Sequence, residues 1–162
     1  MNKLMNRKPV RILFVCLGNI CRSPAAEGIM KSIVQQHGDS ALFHIDSAGI
    51  GSWHVGDLPD ERMRRHGRQR GYDFCSRARQ IRKEDFDAFD LILVMDDENY
   101  EELRWRVDSE EQLAKLHRMS EYFSHHPGAD CVPDPYYGGS KGFELVLDLL
   151  EDACESLYET CI

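Results

Sequence analysis

The stretch VRILFVCLGNICRSPAAE, residues 10–27, decides the fold. Residues 10–16 form a nearly continuous apolar and β-branched run, which is typical of a parallel strand buried on both faces. A glycine-bearing loop follows. Ser23 can then cap a helix and Pro24 suits its first turn, so we expect a helix that runs to about His37. This segment therefore predicts a strand, a loop and a helix in direct succession.

The rest of the chain repeats the alternation of strands and helices. Further strands are predicted at 42–47, 90–95 and 115–119, with a short one at 78–81, and helical segments are predicted at 60–71, 82–89, 96–107 and 142–161. Such alternation predicts an α/β fold, a single-domain three-layer arrangement with a central four-stranded parallel sheet and helices on both faces. Ligands are then expected at the carboxyl ends of the strands. Residues 124–141 are predicted to be a surface loop, and the charged stretches 60–70 and 100–111 to be solvated helix faces.

Composition limits the classes of function. The chain has 162 residues, of which 42% are hydrophobic, so we expect one domain over 1–162 with a flexible N-terminus at 1–9. The formal net charge of -8 argues against nucleic-acid binding, and any affinity for phosphate must be local. No signal-peptide core or membrane-length apolar run is found, so we expect no membrane insertion and a cytoplasmic location.

The six cysteines lie at positions 16, 21, 75, 131, 154 and 161. They form no C-x-x-C pair and have no histidine pair at zinc-finger spacing, which disfavours a structural zinc site. Without an export signal, thiols are expected to stay reduced. Packing or catalysis is therefore the expected role of each cysteine.

The loop Cys16 to Ser23 lies where the buried strand turns into the helix N-terminus. A loop in that position can point successive backbone N–H groups inward, and the helix dipole adds partial positive charge at the same place. Gly18 and Asn19 tolerate the positive φ values that the curl needs, and Arg22 offers a planar fork for two phosphate oxygens. The sequence therefore predicts an anion-binding loop.

Cys16 is placed at the base of this loop, where the same donors would stabilise its thiolate and make it a nucleophile. Ser23 could donate a hydrogen bond to the sulfur, in competition with its capping role. A buried cysteine at a strand end is the alternative interpretation, and the C-x5-R pattern alone is only moderate evidence. The strand-to-helix setting and Arg22 together favour catalysis.

At these residues the chain resembles the low-molecular-weight protein tyrosine phosphatase family. The likeness rests on VCLGNICRSP at 15–24 and DPYYGG at 134–139. Between them DSAG (46–49), Trp53, ARQI (78–81), KEDF (83–86) and FDLILVMDDEN (89–99) follow in family order. Nearly the whole chain is covered.

The resemblance implies that Cys16 is the nucleophile, Arg22 holds the phosphoryl oxygens and Asp134 is the general acid. The phosphate-binding loop would comprise Leu17, Gly18, Asn19, Ile20, Cys21 and Ser23. Chemistry favours Asp134 independently, because a tyrosyl oxygen, whose conjugate acid has a pKa near 10, needs a proton as it leaves. The alternative is an aspartate in a proline-flanked turn. No cofactor or metal is implied, and inorganic phosphate would be the product.

The same resemblance implies that Asn19, Ser23 and Ser47 form a hydrogen-bond network under the loop. Animal members of the family often add a histidine just before the ARQ segment, and here Ser76 stands in its place, which puts that contact in doubt. Asp96 is expected to support the loop. Trp53, Tyr136 and Tyr137 would line a cleft deep enough for a phenyl ring of a tyrosine-phosphorylated protein, although aromatic residues in loops also cover cores.

Two other functions are compatible with parts of this pattern. A thiol-dependent arsenate reductase resembles this fold, but it relays oxidation through cysteines near 90–105, and no cysteine lies between Cys75 and Cys131. A non-catalytic phosphotyrosine-binding module would usually lack the nucleophile or the acid. Cys21 is expected to be a redox partner that traps oxidised Cys16 in a disulfide, or else a packing residue. We expect a monomer.

Overall fold

The computed structural model describes residues 8–135 and 139–162, and a four-stranded parallel sheet lies at its centre. The strands are β1 (Val10–Cys16), β2 (Phe43–Gly49), β3 (Leu91–Val94) and β4 (Leu116–Arg118), in the spatial order β2-β1-β3-β4. All three strand pairs are parallel. The predicted sheet is therefore confirmed, with β1 between two neighbours.

Within the described residues, six α-helices surround the sheet. They are α1 (Arg22–Gln36), α2 (Glu61–Gln69), α3 (Asp85–Ala88), α4 (Asp97–Arg104), α5 (Glu110–Ala114) and α6 (Ser140–Cys161). One apolar cluster joins α1 and α6 to one face of the sheet, and a second cluster packs α3 and α4 on the other face. This gives the predicted three layers.

β1 shows why the apolar run is continuous. Ile12 and Phe14 belong to the first apolar cluster, whereas Leu13 and Val15 belong to the second, and all four are fully buried. Burial of a side chain of this size contributes roughly 1.5–3 kcal/mol. A strand between two helical layers therefore has no solvent face on which polar residues could alternate.

Two predicted elements differ from the structure. The strand predicted at 78–81 is reduced to one parallel bridge between Gly49 and Gln80. The helix predicted to reach Val107 ends at Arg104, and a separate α5 follows, with the Ser109 hydroxyl accepting from Gln112 N–H at 3.1 Å.

The charged stretch 60–70 is also not simply a solvated face. Arg70, just beyond α2, pairs with three carboxylates of α6: Glu144 at 3.0 Å, Asp148 at 2.9 Å and Glu151 at 2.6 Å. His66 of α2 lies 2.6 Å from Glu144. Because α6 presents acidic side chains on this side, the basic end of α2 docks on it instead of facing only water.

Candidate active site

The predicted functional residues that the structure describes converge at the carboxyl ends of β1, β2 and β3. Cys16 ends β1 and α1 begins six residues later at Arg22. β2 contributes Ser47, and the turn after β3 contributes Asp96. Asp134 enters from the segment that precedes α6 and lines the same cavity as Cys16 and Arg22.

The Cys16 sulfur faces the first turn of α1. Its Sγ lies 3.0 Å from the Ser23 hydroxyl, and the Ser23 backbone N–H donates to it at 3.4 Å. Cys16 is 3% exposed. A thiolate here would lie at the positive end of a 15-residue helix and accept from two donors of one residue.

The expected capping role of Ser23 is wrong. Cys21 occupies the N-cap position of α1 and makes no side-chain cap bond, while Ser23 lies within the first helical turn. Because the loop brings the Ser23 hydroxyl toward the sulfur, no choice between capping and sulfur contact arises.

Asn19 holds the curl of the loop. Its φ is 57°, in the left-handed region that a non-glycine residue seldom adopts. Its Nδ2 donates to the Ser23 hydroxyl at 2.7 Å and the Ser47 hydroxyl at 2.9 Å, while its Oδ1 accepts from Arg79 N–H at 3.0 Å. These three bonds lock the side chain and with it the backbone conformation.

The end of β2 supports the loop from behind. A Cβ atom placed on Gly49 would lie 2.9 Å from the carbonyl carbon of Gly18 and 3.0 Å from the backbone nitrogen of Asn19. Only a residue without a side chain allows this approach.

Arg22 is almost fully buried and is held from one side. Its Nη1 donates to Asp96 Oδ2 at 2.7 Å and to the Val132 carbonyl at 2.9 Å, and its Nη2 lies 3.9 Å from Asp134 Oδ2. Burial acts against the charged guanidinium, but Cys16, Asp96 and Asp134 outweigh it and raise the pKa of Arg22 above its ordinary value. The arginine is therefore a fixed cation at the mouth of the loop.

Asp96 has two simultaneous partners. One oxygen accepts from Arg22, and the other accepts from Asn99 N–H at 2.8 Å, where Asp96 caps α4. Because the cap fixes the carboxylate, it also fixes the direction from which Arg22 is held.

Asp134 lies opposite Arg22 and is more accessible than it. Its side chain is 44% exposed, against 4% for Arg22. The segment before it is anchored, because Val132 N–H donates to the Met95 carbonyl at 2.8 Å. Asp134 can thus meet a ligand that enters from solvent.

Two connected cavities meet at these residues. The smaller, about 240 Å³, is lined among others by Cys16, Cys21, Arg22, Trp53, His54 and Asp134. The larger, about 570 Å³, shares Arg22, Trp53 and Asp134 with it and extends to Glu98, Glu102 and Arg106. Trp53 is 70% exposed and stands at the junction. Tyr136 and Tyr137, the other predicted cleft residues, lie outside the described residues.

Cys21 lines the smaller cavity with Cys16 and is half-buried. Burial raises the pKa of its thiol, and the negative charges of Cys16, Asp60 and Asp134 raise it further. Cys21 is therefore protonated at neutral pH.

Sequence reasoning missed three contributors to the site. Arg79 supplies the backbone donor to Asn19 and ties its own guanidinium to Asp46 and Asp85. His54 lines the smaller cavity. Glu27 of α1 is buried and accepts from the Ser47 hydroxyl at 2.5 Å. The ARQI segment was a signal for Arg79, whereas nothing in the local sequence pointed to Glu27.

In residues 8–135 and 139–162 no group of three or more His, Cys, Asp or Glu side chains could hold a metal ion. The helices in this part of the chain include none of the length and apolar character needed to cross a bilayer.

A thiol at the base of an anion-binding loop, beside a buried arginine and facing a carboxylate, defines a cysteine-dependent phosphatase on an α/β sheet. Residues 11–161 match the family model described as low molecular weight phosphotyrosine protein phosphatase. The chain belongs to this family.

Relatives agree over nearly the full chain. A Synechocystis sp. protein assigned to the low molecular weight protein-tyrosine-phosphatases is 51% identical over 148 residues, 91% of this chain and 94% of that protein. The crystal structure of a protein tyrosine phosphatase from Entamoeba histolytica with Hepes in the active site has a TM-score of 0.88 at 46% identity, covering 93% of this chain and 96% of that one. The crystal structure of YfkJ from Bacillus subtilis has a TM-score of 0.88 at 38% identity, covering 96% of both.

Proposed function

We propose that this chain hydrolyses phosphotyrosine esters of proteins through a phosphocysteine intermediate, with Cys16, Arg22 and Asp134 as its catalytic residues. One observation carries this assignment of roles: the Cys16 sulfur lies under the first turn of α1 in the same cavity as Arg22 and Asp134.

In the first step the Cys16 thiolate attacks phosphorus and the bond to the tyrosyl oxygen breaks. The loop N–H groups and the Nη2 side of the Arg22 guanidinium hold the three phosphoryl oxygens. Nη1 does not take part, because it donates to Asp96 and to the Val132 carbonyl. Asp134 donates its proton to the leaving phenolate. The products of this step are free tyrosine side chain and phosphocysteine.

In the second step the Asp134 carboxylate accepts a proton from water, whose oxygen attacks the phosphocysteine. The sulfur leaves as a thiolate, and the Ser23 hydroxyl, 3.0 Å away, donates a hydrogen bond to it. Inorganic phosphate is released and the starting state is restored. Neither step requires a cofactor.

The cavity favours an aryl ester. Trp53 stands beside the opening, and an aromatic wall stacks on a phenyl ring better than on a short alkyl chain. The larger cavity beyond Trp53 is wide enough for residues that flank the phosphotyrosine. Tyrosine-phosphorylated proteins are therefore the proposed partners.

The active thiol also bears on location. A thiolate nucleophile at Cys16 needs a compartment that keeps it reduced. We propose a cytoplasmic monomer.

Turnover of p-nitrophenyl phosphate and of a phosphotyrosine peptide tests the nucleophile. Cys16→Ser should abolish hydrolysis, because a serine hydroxyl is hardly ionised at neutral pH, and should still bind inorganic phosphate. The matched control is Cys75→Ser, which changes an exposed cysteine and should leave turnover unchanged. Retention of a few per cent of wild-type kcat in Cys16→Ser would refute the role. A binding module would turn over nothing in any variant, and an arsenate reductase would consume thiol with arsenate.

Asp134→Ala tests the acid. We expect a loss of about 10²- to 10⁴-fold on phosphotyrosine and a smaller loss on esters of more acidic phenols, which need less proton donation. Equal losses across a series of leaving groups would contradict the general-acid role.

A further inference from the structure

Glu27 is a buried charged residue that the two steps above leave unused. Its side chain is 5% exposed and lies on α1. Its Oε1 accepts from the Ser47 hydroxyl at 2.5 Å, and its Oε2 lies 2.5 Å from the Lys31 ammonium. Since Lys31 is half-exposed, the pair joins solvent to the polar network under the loop.

The chemistry of these groups fixes the direction of every hydrogen bond in the network. A carboxylate paired with an ammonium can only accept, so the Ser47 proton points to Glu27. The Ser47 oxygen must then accept from Asn19 Nδ2, at 2.9 Å. Arg79 N–H, bound to Asn19 Oδ1, fixes the amide in the same orientation.

The direction continues to the sulfur. The second Nδ2 proton of Asn19 goes to the Ser23 oxygen at 2.7 Å, so Ser23 accepts there and keeps its own proton. The Cys16 sulfur lies 3.0 Å from that hydroxyl, and the competing Ala48 carbonyl lies at 3.5 Å. The Ser23 proton therefore points at Cys16.

We propose that Glu27, oriented by Lys31, is a positioning residue that sets the direction of this chain of hydrogen bonds together with the Arg79 N–H, and so helps to aim the Ser23 hydroxyl at the Cys16 thiolate. The proposal rests on the proposed function, in which the sulfur is both nucleophile and leaving group. It assigns the support at the far end of the network to a glutamate and a lysine of α1.

Charge and direction have opposite effects at the sulfur, which makes the proposal testable. If Glu27 acted only as a negative charge, its neutralisation would favour the Cys16 thiolate. If it sets direction, its neutralisation weakens the Ser23 hydrogen bond and disfavours the thiolate. The pH midpoint of iodoacetate alkylation at Cys16 reports the sign.

Glu27→Gln reverses one link while keeping the shape of the side chain. The Lys31 ammonium has only donors and draws the amide oxygen, so the amide NH₂ turns toward Ser47 and the Ser47 proton loses its acceptor. We expect the alkylation midpoint to move to higher pH, kcat on p-nitrophenyl phosphate to fall about tenfold, as for one weakened charge-assisted hydrogen bond, and KM to change little.

The double variant Glu27→Gln with Lys31→Met supplies the rescue. Without the ammonium, the amide oxygen is free to accept from Ser47, so the original direction returns and most of the loss in kcat and in the midpoint should be recovered. The matched control is Arg104→Met, which removes an exposed cation of the Glu101 pair on α4 and should change neither measurement.

Two results would overturn the proposal: a midpoint in Glu27→Gln that is unchanged or lower, or a double variant that melts like the single one but recovers nothing. If the single variant does not fold, the double variant decides alone, since a raised midpoint there refutes the positioning role. Failure of the proposed function would give a different result: wild type would not hydrolyse the ester. The difference in alkylation midpoint between wild type and Glu27→Gln could still be measured.

Discussion

Asp96→Asn isolates the contact that holds Arg22. The wild-type carboxylate accepts from Arg22 Nη1 at 2.7 Å and from Asn99 N–H at 2.8 Å. An asparagine has one acceptor and one donor group, so it can keep only one of these contacts. In either orientation the asparagine NH₂ group faces an N–H donor, that of Arg22 or that of Asn99. Arg22 then loses its acceptor, or the side chain that holds Arg22 loses its capping bond to α4.

The size of the effect follows from burial. A hydrogen bond to a charged group contributes roughly 1.5–3 kcal/mol. The Asp96 side chain is 24% exposed, so water replaces part of the interaction and the lower half of that range applies. A loss of about 2 kcal/mol corresponds to a fall of about 30-fold in kcat/KM. Arg22 is proposed to bind the ground-state phosphate as well, so the inhibition constant of inorganic phosphate should rise in parallel.

The assay is steady-state hydrolysis of p-nitrophenyl phosphate with inorganic phosphate as competitive inhibitor, together with a thermal melt. Asp97→Asn is the matched control, because Asp97 is the next residue, is 81% exposed and pairs with Arg118 on the surface. Its kcat/KM should stay within about twofold of wild type. Our reasoning is refuted if Asp96→Asn lowers the melting temperature but leaves both kinetic constants unchanged.

Arg22→Lys keeps the charge but loses the fork, so steady-state kinetics should show weaker phosphate inhibition and a large fall in kcat; near-normal constants would make Arg22 structural. Peroxide should oxidise the Cys16 thiolate to a sulfenic acid that Cys21 converts to a disulfide with release of water, and a dithiol should restore activity in wild type but less in Cys21→Ser; equal recovery, with no linked peptides by mass spectrometry, rules this out. Despite burial, hydrogen bonds from His126 and from Ser124 and His125 lower the pKa of Asp152 to about 2. Its stabilisation is thus full above the unfolded pKa, about 3.9, and is lost as pH falls toward 2; Asp152→Asn should lower the free energy of unfolding by about 2 kcal/mol at pH 7, with a difference that shrinks below pH 4 in urea titrations.

Oxidation of Cys16 changes the charge that surrounds Cys21. Cys16 as thiolate is one of the charges that raise the pKa of the Cys21 thiol. Conversion of Cys16 to an uncharged sulfenic acid removes that charge, so Cys21 ionises more readily once Cys16 has been oxidised. Disulfide formation should accordingly accelerate with pH.

The central elements could be predicted from sequence because burial on both faces of β1 produces a continuous apolar run. The strand predicted at 78–81 is wrong because the apolar residues of this segment resemble a strand. In the structure, Arg79 bonds through its N–H and its guanidinium to Asn19, Asp46 and Asp85, and only one bridge to the sheet forms. α5 was missed because five residues are too few to show a helical period, and only its Ser109 cap marks it.

For the site, the motif residues and the supports Ser47 and Asp96 were predictable, whereas Glu27 and Arg79 were not. Cys16 and Arg22 lie at the two ends of one short loop, and their C-x5-R spacing indicates phosphate chemistry. The role of Glu27 depends on Ser47, 20 residues away in the chain, and that of Arg79 on Asn19, 60 residues away. Such partners are brought together by the register of β2 beside β1, which a local pattern does not contain.

Gly49 offers a position at which the protein could be inactivated without a change to its proposed catalytic residues. A methyl group there meets Gly18 and Asn19 at the back of the loop, outside both apolar clusters that hold the fold together. Gly49→Ala would displace the anion-binding loop from beneath, while Cys16, Arg22, Asp134 and the surface residues stay unchanged. A cell with this allele would contain a folded protein that can still contact its partner proteins but cannot bind phosphate. Its phenotype would separate the effects of lost hydrolysis from the effects of a missing protein.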